Sequence, residues 1–304
     1  MLIFLEQLLN GVQLGVTLLL MASGLTLIFG IMNLINLAHG SLFMVGAYVA
    51  ATVSVQTGSF LLGLLAGTVA AGVVGMLVEF TVIRRLYERD HLDQVLATFG
   101  LILFFNELVR VVWGRQPLRI DVPPWLLGTV EVVPGAPYPV YRLAVIVVGV
   151  LVVLGLYLLV QRTRLGMWIR AGASDREMIG ALGVNISRLY TIIFGLGAVL
   201  AGLAGVVAGP FIAVQSGMGE SILILTFVVI VIGGIGSIRG AVVGSLLVGL
   251  TDTLGRAYLP SLLGVFLSPS GASAVGSSLS AMAIYILMAA VLAWRPQGLF
   301  GGQV

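Results

Sequence analysis

Runs of apolar residues, each close to twenty long, recur along almost the whole chain. They lie at 5–30, 61–83, 95–113, 141–160, 189–209 and 279–294, with a longer interrupted stretch at 221–256. A helix needs about 20 apolar residues to cross a bilayer. In lipid only helices and closed barrels satisfy their own backbone hydrogen bonds. Charged residues are 9% of the chain, against about 25% in soluble domains. The 304 residues therefore predict an all-α polytopic membrane protein of about eight or nine transmembrane helices. They form a single transmembrane domain over 1–304, with no room for a separate soluble one. Glu6 stands at the very start of the first run and no basic segment precedes it, so the first span is expected to insert and stay.

The most informative stretch is Gly24–Ala50. It is apolar enough for a bilayer, yet its middle carries Asn33, Asn36, His39 and Ser41. Unsatisfied polar groups in lipid cost several kcal/mol each. Such a stretch is tolerated where a helix breaks against protein or lines a wet cavity. A polar helix break is expected at 31–41. Its side chains either satisfy one another and hold a kink, or line a solute path. A second break is expected at 233–240, where Gly233, Gly234, Gly236 and Gly240 interrupt the 221–256 run and offer a hinge. The two are related: Leu25-Thr26 precedes Gly40 by the interval at which Leu225-Thr226 precedes Gly240. Broken segments at corresponding places in two halves point to a transport pathway, so two broken or re-entrant segments and an internal pseudo-repeat belong to the expected fold.

Small residues four apart should bring helices close. They occur as Gly11/Gly15, Gly63/Gly67 and Ala71/Gly75, and as Ala201, Gly205 and Gly209 on one face. Between 114 and 140 six prolines predict a rigid loop over one membrane face, and 257–278 reads as a Pro-, Ser- and Gly-rich loop. Thr163–Arg188 is the longest polar segment. Within it Ser174 as N-cap and Glu177 three residues on have capping-box spacing, and Gly183 suits a helix stop. A short extramembrane helix over 174–181 follows. It pairs charged Asp175, Arg176 and Glu177 with apolar Met178, Ile179, Ala181 and Leu182. It is either a solvated loop helix or a peg for a groove on a cytoplasmic partner. Nine arginines fall on the side of the 84–91 and 163–188 loops and five on the other. That bias puts the 163–188 loop and the C-terminus inside the cell and the N-terminus outside.

Much chemistry is excluded. Lysine is absent, so no Walker A loop exists. HExxH and GxSxG are absent, and His39 and His91 have no carboxylate at ligand spacing, so no catalytic or metal-ligating set is predicted. No basic run with interleaved aromatics suggests nucleic acid. Glu79 with Arg84, Glu107 with Arg110 and Asp252 with Arg256 read as local ion pairs, which leaves no clear carboxylate for ion coupling.

GLTLIFGIMNLINLAHGSLFMVGAY, with its NxxHG at Asn36–Gly40, resembles the first block of the branched-chain amino acid ABC transporter permeases. RTRLGMWIRAGASDREMIGALGVNISRLYTIIFGLGAVLAGLAG resembles their cytoplasmic coupling segment and next span, and GGIGSIRGAVVGSLLVG their late glycine-rich block. The resemblance covers nearly the whole chain; Gly172 and Gly180 are its loosely packed departures. It implies one permease domain of a binding-protein-dependent importer in a bacterial inner membrane. It implies as partners a second, non-identical permease, two cytoplasmic ATPase subunits that hold the ATP, an external substrate-binding protein and membrane lipid. No cofactor would be bound by this chain. Asp175–Leu182 with Gly183 would be the coupling helix, the small residues of Ala198–Gly209 would let helices slide, and outer loops would meet the binding protein. Related permeases take amides or urea. A secondary transporter driven by an ion gradient through Glu79 or Asp252, and a membrane-embedded enzyme, are the readings of other classes.

Overall fold

The computed structural model describes residues 2–133 and 135–301. Its helices are α1 (Leu2–Met32), α2 (His39–Thr57), α3 (Phe60–Thr81), α4 (His91–Trp113), α5 (Val140–Arg162), α6 (Arg164–Ser174), α7 (Arg176–Ala181), α8 (Ile186–Ala208), α9 (Met218–Gly233), α10 (Ile238–Leu263) and α11 (Pro269–Trp294). Eight of them are long and apolar enough to cross a membrane; α9, with 16 residues, is shorter. The chain is an all-α polytopic membrane protein. Among the described residues the strands are an antiparallel pair, β1 (Thr129–Val133) and β2 (Ala136–Pro139), within the proline-rich connection.

The described residues form two compact units. One holds 20–123 and 151–224; the other holds the chain up to Leu19, 124–150, and the chain from Leu225. In the first unit α2, α3 and α8 meet through residues with little or no side chain. A Cβ on Gly46 would stand 2.6 Å from the Gly202 Cα, and one on Gly67 would strike the Gly46 carbonyl. Gly75 abuts Ala198, and Gly205 abuts the Phe43 backbone. Lipid supplies no hydrophobic drive between helices, so close van der Waals approach of backbones holds them. The Gly63/Gly67 and Ala71/Gly75 spacings are thus packing faces. Trp113 ends α4 by donating to Thr52 Oγ1 at 2.6 Å and packing on the Tyr48 ring.

In the second unit the same device joins the start of α1 to α10. A Cβ on Gly15 would lie 2.9 Å from the Ser245 carbonyl, and Gly11 sits as closely on Leu250. The hairpin is tied to α1 by Tyr138, whose hydroxyl donates to Asn10 Oδ1 at 3.1 Å, and by Arg142, which reaches the same oxygen.

Three boundaries correct the sequence expectations. The 257–278 loop is mostly helix: α10 runs through Pro260 to Leu263, and Ser268 caps α11. Ser273, Ser277, Ser278 and Ser280 return their hydroxyls to carbonyls three or four residues back, so they do not interrupt it. Gly276 gives Pro260 the room it needs, since a Cβ there would lie 2.7 Å from the Pro260 Cα. The 163–188 segment holds two helices, not one. Finally Asp175, not Ser174, caps α7, and Ser174 ends α6.

Candidate translocation and coupling sites

The first break is shorter than its polar content suggested: helix is lost only over Asn33–Ala38. Asn33 ends α1 with φ +49, a left-handed conformation that asparagine tolerates, and its N–H still reaches the Phe29 carbonyl at 2.9 Å. Its side chain is exposed, so it stands apart from the others. Asn36, His39 and Ser41 are buried. The His39 N–H bonds the Asn36 carbonyl at 3.4 Å and the Ser41 N–H the Ala38 carbonyl at 3.0 Å, a tight turn into α2.

Glycines seat this turn. A Cβ on Gly24 would lie 2.7 Å from the Gly197 carbonyl of α8 and 3.0 Å from His39 Nε2, so the imidazole fills the notch beside α1. The Met21 backbone lies alongside the ring. Gly40 meets Gly219 of α9 backbone to backbone: a Cβ there would stand 2.8 Å from the Gly219 carbonyl carbon. Within this packing the Asn36 amide and the Thr26 hydroxyl lack a hydrogen bond, and the His39 ring has only the Met21 backbone beside it. Buried polar groups are nearly always paired, and each orphan costs about 1–3 kcal/mol. Thr26 was not singled out by its sequence; its place in the Leu25-Thr26 pair of the repeat was the available signal.

The second break spans Gly234–Ser237. Gly234 at φ +100 and Gly236 at φ +82 adopt backbones that residues with a Cβ avoid. Ser237 caps α10 by accepting the Gly240 N–H at 3.0 Å. Gly233 and Gly240 cross backbone to backbone, so all four glycines of this block have steric reasons. The chain end fastens the break: Leu299 and Phe300 donate N–H bonds of 2.9 Å to the Ile232 and Gly233 carbonyls, which α9 leaves unpaired at its end. This strap was invisible in the sequence.

In the polar loop Thr163 caps α6 by accepting the Gly166 N–H at 3.1 Å. α6 buries Gly166, Ile169 and Gly172 and exposes Met167. The Asp175 carboxylate accepts the N–H groups of Glu177 at 3.0 Å and Met178 at 2.9 Å. Gly183, at φ +88, stops α7 as expected, and the Val184 N–H closes onto the Ile179 carbonyl at 3.3 Å. Of the named coupling residues only Ile179 turns inward, 4% exposed. Met178 is 59% and Leu182 76% exposed, and Asp175, Arg176, Glu177, Ala181 and Gly183 lie open beside them. All three expected ion pairs form: Arg84 to Glu79 at 3.2 Å, Arg110 to Glu107 at 2.5 Å and Arg256 to Asp252 at 2.9 Å. Among the described residues no three His, Cys, Asp or Glu side chains are grouped as for a metal.

A family model described as the permease component of the branched-chain amino acid transport system matches residues 7–293. The chain belongs to this family. It is 32% identical over 275 residues to the high-affinity branched-chain amino acid transport system permease protein LivH of Escherichia coli K12, covering 84% of this chain and 87% of that one. With the corresponding protein BraD of Pseudomonas aeruginosa it shares 31% identity over 312 residues, covering 98% and 96%. A probable branched-chain amino acid permease of Methanocaldococcus jannaschii is 27% identical over 93% of this chain and 88% of its own. No solved structure matches significantly. The chain is thus a membrane-spanning transport subunit.

Proposed function

We propose that this chain is the permease subunit of an ATP-driven, binding-protein-dependent importer of branched-chain amino acids. The observation that carries this reading is α7. It is capped at both ends and presents Met178 and Leu182 to solvent beside three charged side chains, at the entrance to α8. A solvated loop helix has no use for two exposed large apolar residues one turn apart, whereas a peg seated in a partner's groove does. The chain lacks lysine, so ATP belongs to two cytoplasmic ATPase subunits. A second permease subunit completes the path, and an external binding protein delivers the solute. By the arginine bias the C-terminus and α7 face the cytoplasm across a bacterial inner membrane and the N-terminus lies outside.

Asn36, His39 and Ser41, with Thr26, line the solute path, while Asn33 stands at its margin. Their uncharged donors and acceptors suit a zwitterion of no net charge. The unpaired atoms are a surface closed off in the resting chain and hydrated or solute-bound when the path opens. Co-purification with the ATPase subunits tests the assignment, with Asp175–Leu182 replaced by Gly/Ser in the comparison variant. ATPase recovered with the native chain and lost with the variant is the expected result. No ATPase with either overturns it.

A further inference from the structure

Glu79 is more than half of a local ion pair. Its carboxylate is fully buried and receives hydrogen bonds from three side chains on two other elements. Arg84, in the turn after α3, donates Nε and Nη2 at 3.2 Å each. Thr191, one turn into α8, donates its hydroxyl at 2.7 Å, a shorter contact than the 3.0 Å to the Ser187 carbonyl of its own helix. Tyr87, in the same connection as Arg84, donates its phenol. Arg84 closes the ring by donating Nη2 to Thr191 Oγ1 at 2.7 Å and lies 4.8 Å over the Phe80 ring. The Tyr87 and Tyr190 rings meet edge to face at 5.0 Å. Gln94 of α4 holds the connection from the other side through the Leu86 carbonyl at 3.1 Å and the Arg89 carbonyl at 3.2 Å. Burial and the carboxylate together raise the Tyr87 phenol above its ordinary range, so it stays a donor.

Thr191 lies five residues after Ile186, where α8 begins, and the Ile186 side chain approaches Gly180 of α7. A displacement of α7 therefore reaches the first turn of α8. In lipid-facing helices packed through glycine, little but van der Waals contact would pass it on sideways. Charge-assisted bonds inside a low-dielectric site are directional and strong.

We infer that Glu79, with Arg84, Tyr87 and Thr191, is the clamp that makes the α3–α4 connection move with the start of α8, so that motion at α7 is transmitted to α3 and α4. Glu79 and Thr191 are positioning residues, and this role rests on the reading of α7 as the ATPase-coupling helix.

The test uses the assembled importer in proteoliposomes, with leucine as probe. ATP hydrolysis, leucine uptake and co-purified ATPase are measured for the native chain and for Thr191→Val, Thr191→Ser, Tyr87→Phe and Glu79→Gln. Thr191→Val removes only the arm on α8 and leaves the Glu79–Arg84 pair. It is expected to keep its ATPase and its hydrolysis while leucine taken up per ATP falls at least about fivefold. Thr191→Ser, which keeps the hydroxyl, is expected to restore the ratio. Glu79→Gln, where it assembles, should lose more than Tyr87→Phe. A Thr191→Val importer whose uptake per ATP stays within about twofold of native overturns the clamp while leaving the α7 reading intact. A native chain that recovers no ATPase overturns that reading, and the clamp with it.

Discussion

Replacing Asn36 by leucine separates a structural amide from one that serves transport. The Asn36 side chain is 0% exposed, and neither its Nδ2 nor its Oδ1 has a partner. Two orphaned groups at about 1–3 kcal/mol each put the cost of this amide at about 2–6 kcal/mol. Leucine removes that cost but is larger, and overpacking returns about 1–3 kcal/mol. At mid-range the net expectation is a gain of about 2 kcal/mol, or a rise in Tm of about 4–8 °C for a chain of this size. Transport should move the other way. One lost hydrogen bond to a charged solute group is worth about 1.5–3 kcal/mol, so leucine uptake should fall at least about tenfold. The assay is a thermal melt of the detergent-purified protein alongside uptake by the assembled importer. A lower Tm with unchanged uptake would refute the reasoning, because it would mean that the amide is satisfied in the folded protein and unused in transport.

The glycine crossings make their own predictions. Gly40→Ala should lower Tm by about 2–12 °C, since a Cβ there meets the Gly219 backbone and overpacking against backbone costs about 1–3 kcal/mol. Gly100→Ala, in α4 with nothing within 4 Å, should instead be neutral or stabilising by up to about 1 kcal/mol; equal melts for the two would contradict the packing argument. Asp175→Ala removes both bonds that start α7, should cost about 1 kcal/mol locally and should reduce ATPase recovery in pull-downs, with Asp175→Asn largely retaining it. Gly234→Ala forces a Cβ into a φ of +100° beside the Gly301 backbone and should cost at least about 1–2 kcal/mol, read as a lower Tm.

What could be read in the sequence was local. Both breaks, the stop at Gly183, the ion pairs at Glu79, Glu107 and Asp252, and the small-residue faces follow from spacing within a few residues. The helix over 268–280 was hidden because serine and proline signal turns in water, whereas a serine hydroxyl in a membrane helix bonds back to its own turn. The cap at Asp175 was misplaced by one residue because Ser174 and Asp175 both qualify; the carboxylate, accepting two N–H groups, prevailed. α6 was missed because two of its three buried positions, Gly166 and Gly172, are glycines, which count against a helix in a sequence. The Leu299 and Phe300 strap and the bond from Thr191 to Glu79, 112 residues away, join distant segments, and no local pattern announces them.

The most direct test of the central claim is energised leucine uptake into proteoliposomes that hold this chain with its second permease, ATPase subunits and binding protein. The account predicts uptake that needs ATP on the α7 side, persists when ion gradients are collapsed and disappears when Asp175–Leu182 is replaced by Gly/Ser. Leucine accumulation driven by an ion gradient in the absence of any ATPase, and abolished by Glu79→Gln or Asp252→Asn, would contradict it.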